Sequence, residues 1–129
     1  RVHLLPPVLP DELLAVTASA DVGLVLLEDT CLNHRLALPN KLFEYLAAGV
    51  PVLASDLPEL RRVVETYRVG CVVDPANPGA LAAAMRRLAE DPTLRRRLAA
   101  NTGAAFAAHS WAHRAPLFQE AYRNLLCDA

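Results

Sequence analysis

Polar side chains that could bind an anion and a sugar ring cluster in one stretch, at Asn40, Lys41 and Glu44. A polar loop runs into the predicted start of a helix here, where the first backbone N–H groups have no partner within the helix. Such an end attracts phosphate through hydrogen bonds and through the helix dipole. Lys41 adds a cation that opposes the dipole, so a bound pyrophosphate would offset its charge. The stretch therefore predicts a phosphate site.

Two of these residues have alternative interpretations that remain open. Lys41 is the only lysine among 13 basic residues. Either a compact ammonium is required at this position, or the position of the single lysine has no functional meaning. Glu44 lies one turn after Asn40, where its carboxylate could accept hydrogen bonds from vicinal hydroxyls of a ribose. Equally, it could pair with Lys41 at i−3 on a solvated helix face.

Short apolar runs predict the strands and helices that position this stretch. Residues 22–27, 50–54 and 70–73 are apolar and bounded by turn residues, which predicts buried parallel strands. A further apolar run at residues 2–5, ended by two prolines, predicts another strand. Residues 28–38 are predicted to form an irregular loop. Helical spacing follows each strand, and Asn77-Pro78 and Asp91-Pro92 are typical helix starts.

Strands alternating with helices predict a doubly wound, Rossmann-like α/β domain, with helices on both faces of a parallel sheet and a helical C-terminal tail. Ligands bind such sheets at the carboxyl ends of the strands. The candidate site therefore falls in residues 5–10, 28–41 and 54–58. Trp111, Phe118 and Tyr122 are large apolar side chains on the last predicted helix, residues 111–126. They need a partner beyond this domain, so we expect that helix to be incompletely packed.

Composition limits the classes of partner. The 129 residues suffice for one domain, and 53% hydrophobic with 21% charged residues indicates a globular chain. A net charge of −1 gives no electrostatic footprint for nucleic acid. No apolar run approaches the roughly 18 residues of a membrane span. We expect a single domain over residues 1–129, without a nucleic acid partner or an integral membrane segment.

The cysteines and histidines do not predict a metal site. Cys31, Cys71 and Cys127 are widely spaced and odd in number, which favours free thiols in a reducing cytoplasm. His109 and His113 lie at i, i+4 on a predicted helical turn, but no third ligand is near them in the sequence. We expect no bound metal and no cofactor.

Several short blocks of residues, each present once, are distributed in order over nearly the whole chain. They are Ala20-Asp21-Val22, Leu38-Pro39 through Glu44, Ala48-Gly49-Val50-Pro51-Val52, Ala54-Ser55-Asp56 with Glu59, Gly70 through Pro75, and Ser110-Trp111. In this order and spacing the chain resembles the C-terminal domain of family-4 (group 1) glycosyltransferases of the GT-B fold. The resemblance implies a nucleotide-sugar-binding domain.

Two glutamates separated by seven residues mark the donor site in that family. The second contacts the ribose of the nucleotide, and the resemblance assigns this role to Glu44. The first contacts hydroxyls of the donor sugar, and its position here is Leu36. The position therefore lacks the carboxylate that makes the donor-sugar contact in that family. Neighbouring polar residues, Asn33, His34 and Arg35, either take over that contact or are ordinary loop residues.

Backbone groups complete the site that the resemblance implies. The family uses amides between the two glutamates for the phosphates and the sugar, and these map onto Ala37, Leu38 and Asn40. Pro39 lies among them but has no N–H to give. The loop after the family's first strand lies against the base, which corresponds here to Leu5, Pro6 and the residues up to Val8. The resemblance identifies no catalytic residue.

The implied activity is transfer of a sugar, with retention, from a nucleotide diphosphate-sugar to an acceptor that the sequence does not identify. An acceptor-binding N-terminal domain of the same chain and the family's upstream Arg/Lys pair are absent from these residues. We therefore expect the C-terminal part of a longer bacterial hexosyltransferase-type enzyme, inactive by itself. It would be cytoplasmic, with the other domain as the route to the inner membrane surface. Alternatives are a non-catalytic nucleotide-sugar-binding or regulatory domain, and half of a GT-B sugar-nucleotide epimerase.

Overall fold

A parallel sheet forms the centre of the computed structural model, which describes residues 2–127. Its strands are β1 (Gly23–Val25), β2 (Val52–Ser55) and β3 (Gly70–Val73), in the spatial order β1-β2-β3. Val25 pairs with Ala54, and Ala54 with Val72. All three strands lie within the predicted apolar runs or one residue beyond them. The prediction of a parallel α/β sheet is confirmed.

Helices fill most of the remaining chain. In order they are α1 (Leu13–Thr17), α2 (Leu32–Leu36), α3 (Asn40–Ala47), α4 (Pro58–Tyr67), α5 (Pro78–Glu90), α6 (Pro92–Ala99), α7 (Thr102–His109) and α8 (Trp111–Cys127). The predicted helix starts at Pro78, Pro92 and Trp111 match the observed ones. Residues 28–38 were predicted to be irregular, and this was wrong for the short helix α2.

The sheet is covered on both faces because its side chains alternate. Val52 and Ala54 belong to a core shared with α3, α4 and α7, whereas Leu53 belongs to a second core with α5 and α6. Since β2 is buried at every position, it is the central strand of the described sheet. The continuous apolar run at residues 22–27 predicted a central strand there, and this was wrong: β1 lies at an edge of the described sheet, and Leu24 is 39% exposed. The expected helices on both faces are confirmed.

Helix α3 is fixed at its C-terminal end by a glycine. Gly49 has φ +76°, a conformation that is strained for other residues. The Gly49 N–H donates to the Leu46 carbonyl at 3.2 Å, and the Val50 N–H donates to the Tyr45 carbonyl at 2.9 Å. These two bonds form a Schellman motif. With Leu42 and Leu46 buried, they fix which face of α3 points to the sheet.

Residues 2–5 do not form the predicted strand. Val2 is 93% exposed, Leu4 is 96% exposed, and no strand is assigned before Gly23 in the described residues. An apolar run forms a strand only where a neighbouring strand can pair with its backbone. No partner in residues 2–127 pairs with this segment, and Pro6 and Pro7 cannot donate to a ladder.

The last helices differ from the sequence-based expectation at one point. The prediction gave a helix from Pro92 and then one from Trp111, but α7 also lies between them. His109 ends α7 and Ser110 is extended, so His109 and His113 do not share a helix. Along α8 nearly every described side chain is exposed, including Trp111 and Phe118. The incomplete packing of this helix is confirmed; its contact with another domain stays a prediction.

Candidate functional site

The start of α3 leaves backbone donors unused. Pro39 is the N-cap residue, with φ −69° and ψ 149°, and it supplies no capping side chain. Pro39 thus lies just before the first turn of α3. Within residues 2–127, the N–H groups of Leu38, Asn40 and Lys41 have no hydrogen-bond acceptor. The Ala37 N–H, in contrast, donates to the His34 carbonyl at 3.3 Å. Of the amides predicted for the site, Leu38 and Asn40 are therefore available and Ala37 is occupied.

Glu44 borders a groove between helices, and its contact with a ribose stays a prediction. The groove has a volume of about 370 Å³ and runs along α3 between α1 and α7. Asn40 and Glu44 supply its polar side chains, and the other lining residues are Leu13, Leu14, Phe43, Ala47 and Phe106. One carboxylate and one amide side chain on an otherwise apolar wall suit a ligand that combines hydroxyl groups with a flat apolar ring. The apolar lining residues were not predicted, since their spacing on α1 and α7 indicates only core positions.

Lys41 lies in the first turn of α3 and is half-buried. No carboxylate lies within 4.0 Å of its ammonium among the described residues, so the predicted alternative of a Lys41–Glu44 ion pair is not formed. Lys41 is not among the residues that line the groove beside Glu44. The structure therefore brings Asn40 and Glu44 to one groove and leaves Lys41 beside it.

The polar residues of α2 fold back on the loop that precedes them. His34 Nδ1 lies 2.8 Å from the Glu28 carbonyl oxygen and 3.0 Å from Thr30 Oγ1. Arg35 Nε lies 3.5 Å from Asp29 Oδ1. Both residues thus have partners within the protein, and their contact with the donor sugar stays a prediction. Asn33 and Leu36 are exposed, and Leu36 ends α2 with 57% of its surface accessible.

The residues predicted to contact the base do not lie at the groove that Asn40 and Glu44 line. Leu5, Pro6 and Val8 are all exposed, and none lines the groove beside Glu44. Their placement depended on the strand expected at residues 2–5, which would have fixed the following loop at the carboxyl edge of the sheet. Because that strand is not formed, nothing in the described residues positions this loop. Their role in binding stays a prediction.

Carboxylates line a second cavity at the carboxyl edge of the sheet, with a volume of about 360 Å³. Its lining residues are Glu28, Asp29, Thr30, Asp56, Leu57, Asp74, Pro75 and Ala76. Asp56 accepts from Arg61 Nε at 2.6 Å, and Asp74 Oδ1 accepts from the Ala76 N–H at 2.9 Å. The hydrogen bond and charge of Asp56 raise the pKa of Arg61 above its ordinary value. Two of the four carboxylates here, those of Asp29 and Asp56, are thus paired with arginines of the protein.

Ser55 holds the end of β1 in place, a role the sequence did not reveal. Its hydroxyl is buried, accepts from the Leu27 N–H at 2.7 Å and donates to the Leu27 carbonyl at 2.7 Å. Beyond Ser55, the Asp56 N–H donates to Val73 on β3. The serine side chain thus replaces backbone pairing where β1 and β2 separate. This keeps the chain before the Glu28–Thr30 loop attached to the sheet.

Residues 2–127 contain neither a metal-binding cluster nor a membrane-spanning helix. No cluster of three or more His, Cys, Asp or Glu side chains is arranged to hold a metal ion in this part of the chain. None of its helices has the length and hydropathy needed to cross a bilayer. Cys31 and Cys71 are free thiols, whereas the Cys127 side chain lies outside the described atoms.

Comparison with known proteins gives consistent matches. The family model described as glycosyl transferases group 1 matches residues 1–91. A phosphatidyl-myo-inositol mannosyltransferase of Mycobacterium leprae (strain TN) is 36% identical over 84 residues, which is 65% of this chain and 22% of that protein. A D-inositol 3-phosphate glycosyltransferase of Nocardioides sp. is 34% identical over 123 residues, which is 95% of this chain and 26% of that protein.

A solved structure extends the similarity to the fold. Sucrose-phosphate synthase from Thermosynechococcus elongatus superposes with a TM-score of 0.75 at 28% identity, over 92% of this chain and 29% of that one. The chain thus spans between about a fifth and a third of the length of the proteins that it matches.

Proposed function

Because the chain belongs to the group 1 glycosyl transferases, we propose that it is the donor-binding part of a retaining enzyme of the hexosyltransferase type. The donor would be a nucleotide diphosphate-sugar. The acceptor would bind another domain of a longer protein, since the chain spans only part of its relatives. Neither a metal nor a cofactor is part of this proposal.

The observation that carries the proposal is the uncapped start of α3 beside a groove with a carboxylate. Leu38, Asn40 and Lys41 offer backbone N–H groups without acceptors in the described residues. A diphosphate can accept from them, and the helix dipole and the Lys41 ammonium add to the attraction. Glu44, one turn further along the same helix, would accept hydrogen bonds from the ribose hydroxyls.

These groups also suit the chemical step. Breaking the bond between sugar and diphosphate leaves negative charge on the departing phosphate oxygens. Fixed donors aimed at those oxygens stabilise the charge without having to reorganise. In this proposal the N–H groups and Lys41 hold the leaving group, and the acceptor arrives from the other domain. By itself the chain would bind the nucleotide weakly and transfer nothing.

Replacing Glu44 with glutamine tests the ribose assignment. In the intact protein we expect Glu44→Gln to weaken binding of the nucleoside diphosphate by roughly 1–3 kcal/mol, the range for a charge-assisted hydrogen bond. The unfolding free energy should hardly change, because Glu44 is only half-buried and no volume is lost. Calorimetric titration with UDP, GDP and ADP measures the affinity, and urea unfolding measures stability.

The matched control is Glu90→Gln, which changes an exposed glutamate at the end of α5 in the same way. It should leave the affinity unaltered. Equal affinities for wild type and Glu44→Gln would remove the ribose assignment, and absence of binding by wild type to any of the three nucleotides would remove the proposed donor class.

A second candidate, a non-catalytic nucleotide-sugar-binding domain, is favoured by one observation. Leu36 stands exposed where the resemblance places the glutamate that contacts the donor sugar. If the site has lost sugar recognition, the intact protein should bind the nucleoside diphosphate and its sugar conjugates equally well, and should release no nucleotide in a turnover assay. Tighter binding of one sugar conjugate, or nucleotide release, contradicts this candidate.

A further inference from the structure

Gly23 is buried in β1 on the face of the sheet that α3 covers. A Cβ atom added to Gly23 would lie 2.3 Å from Tyr45 Cγ, and 2.4 and 2.6 Å from the two Cδ atoms of the same ring. Real Cβ atoms do not approach other atoms this closely. The Tyr45 ring therefore occupies the volume that any side chain at position 23 would need.

Tyr45 cannot easily give way. Its Cγ is only one bond from Cβ, so moving Cγ by an ångström requires the helix itself to move or the ring to leave its place. The Tyr45 carbonyl accepts the Val50 N–H in the motif that ends α3. Leu42 and Leu46 are buried at nearby positions of the same helix. The backbone of α3 at Tyr45 is thus held by its own end and by the core.

Other glycines of the chain do not have this relation to α3. At Gly70 an added Cβ would meet the backbone of Val52 in the neighbouring strand, and at Gly103 it would meet nothing within 4 Å. Among these three positions, Gly23 is where the absent side chain makes room for the helix that carries Asn40 and Glu44.

We propose that the contact of Tyr45 with the backbone of Gly23 is the positioning contact that sets α3 against β1 and so places the α3 start and Glu44. Tyr45 is the residue next to Glu44, and Gly23 is tied to the start of β2 through its N–H bond to the Pro51 carbonyl at 2.9 Å. A shift of α3 would displace the free amides and Glu44 together. The binding consequence rests on the proposed function; the placement of the helix does not.

The test combines a methyl group added at position 23 with removal of the aromatic ring at position 45. In Gly23→Ala the affinity for UDP, GDP or ADP should fall about tenfold to a hundredfold, the range for a misplacement of about 1 Å in a binding site. In the double variant Gly23→Ala/Tyr45→Ala the methyl group no longer meets a ring, so the affinity should return to within about threefold of the Tyr45→Ala single variant, as a double-mutant cycle measures.

Two controls separate positioning from loss of stability. Gly103→Ala is the same substitution at a position with free space, and it should leave binding unchanged. Leu88→Ala truncates the core on the opposite face of the sheet, so it should lower the unfolding free energy while the folded molecules bind as before. A fall in affinity for Leu88→Ala equal to that for Gly23→Ala would overturn the proposal.

Amide chemical shifts provide a readout that does not depend on a ligand. The amide signals of residues 38–44 should move in Gly23→Ala and return towards the Tyr45→Ala positions in the double variant. Unmoved signals in a folded Gly23→Ala, or a double variant without any recovery, overturn the positioning role. If the signals behave as expected but wild type binds no diphosphate, the proposed function fails while the positioning of α3 stands.

Discussion

Helix α3 and helices α5 and α6 begin in different ways, although a proline stands at or just before each start. In α5, Asn77 Oδ1 accepts the Ala80 N–H at 3.0 Å, and in α6, Asp91 Oδ1 accepts the Leu94 N–H at 2.8 Å. In α3 the capping position is itself the proline, Pro39, and no side chain accepts from the first turn. The only charged residue of that turn is the cation Lys41.

The difference indicates which helix starts serve the fold and which is available for a ligand. Capping by Asn or Asp satisfies orphan N–H groups within the protein and stabilises a helix by about 1 kcal/mol. The start of α3 forgoes that stabilisation and places Lys41 where the helix dipole disfavours a cation. An anion from outside would supply both the missing acceptor and the compensating charge.

Giving α3 the kind of cap that α6 has should produce the largest effect. In Pro39→Asp the new carboxylate would accept the free N–H groups and repel a diphosphate. We expect the nucleoside diphosphate affinity to fall by roughly 2–4 kcal/mol, because juxtaposed like charges cost several kcal/mol. Thermal unfolding should show equal or higher stability. Calorimetry measures the affinity, and Pro39→Ala, which removes the ring without adding charge, is the control; equal losses in both variants would refute the charge argument.

Removing the cation should have the next largest effect. Lys41→Met keeps much of the side chain's length and removes its charge, so the affinity for the diphosphate should fall by about 1.5–3 kcal/mol, as for a lost hydrogen bond to a charged group. The unfolding free energy should stay equal or rise slightly, since the unfavourable interaction with the dipole is gone. Titrations at two salt concentrations should show a weaker salt dependence than wild type. An unchanged affinity would mean that Lys41 takes no part in binding the diphosphate.

Removing the cap of α6 should affect stability alone. Asp91→Ala leaves the Leu94 N–H, which is partly buried, without its acceptor, and we expect a loss of about 1 kcal/mol of unfolding free energy. Urea denaturation measures this loss, and the affinity for nucleoside diphosphate should not change. A marked fall in affinity would mean that the capped and uncapped helix starts are not functionally distinct.

The smallest effect is expected at the cap of α5. Asn77→Ala removes a hydrogen bond that is exposed to solvent, so water can replace the carbonyl oxygen at little cost. We expect a loss of about 0.5 kcal/mol, at the low end of the range for cap substitutions. Parallel urea titrations of both cap variants give the ranking, and a larger loss for Asn77→Ala than for Asp91→Ala would contradict it.

Much of the fold could be predicted because local chemistry and periodicity act over a few residues. Asn77 and Asp91 cap their helices, and the three strands lie within the apolar runs at residues 22–27, 50–54 and 70–73 or one residue beyond them, as the sequence indicated. The strand predicted at residues 2–5 is not formed, because a strand depends on a partner that is distant in sequence. The same limit applies to Leu5, Pro6 and Val8, whose predicted positions depended on that strand.

The sequence by itself determined the kind of domain and the helix on which the candidate site lies, since Asn40, Lys41 and Glu44 and the glycine that ends their helix are neighbours along the chain. Only the tertiary structure decided which of them share a groove, that Ser55 holds the end of β1, and that Gly23 leaves room for Tyr45. The reason is physical. Helix starts and ends depend on bonds between residues a few positions apart, whereas a groove or a close contact depends on how α1, α3, α7 and the sheet pack together.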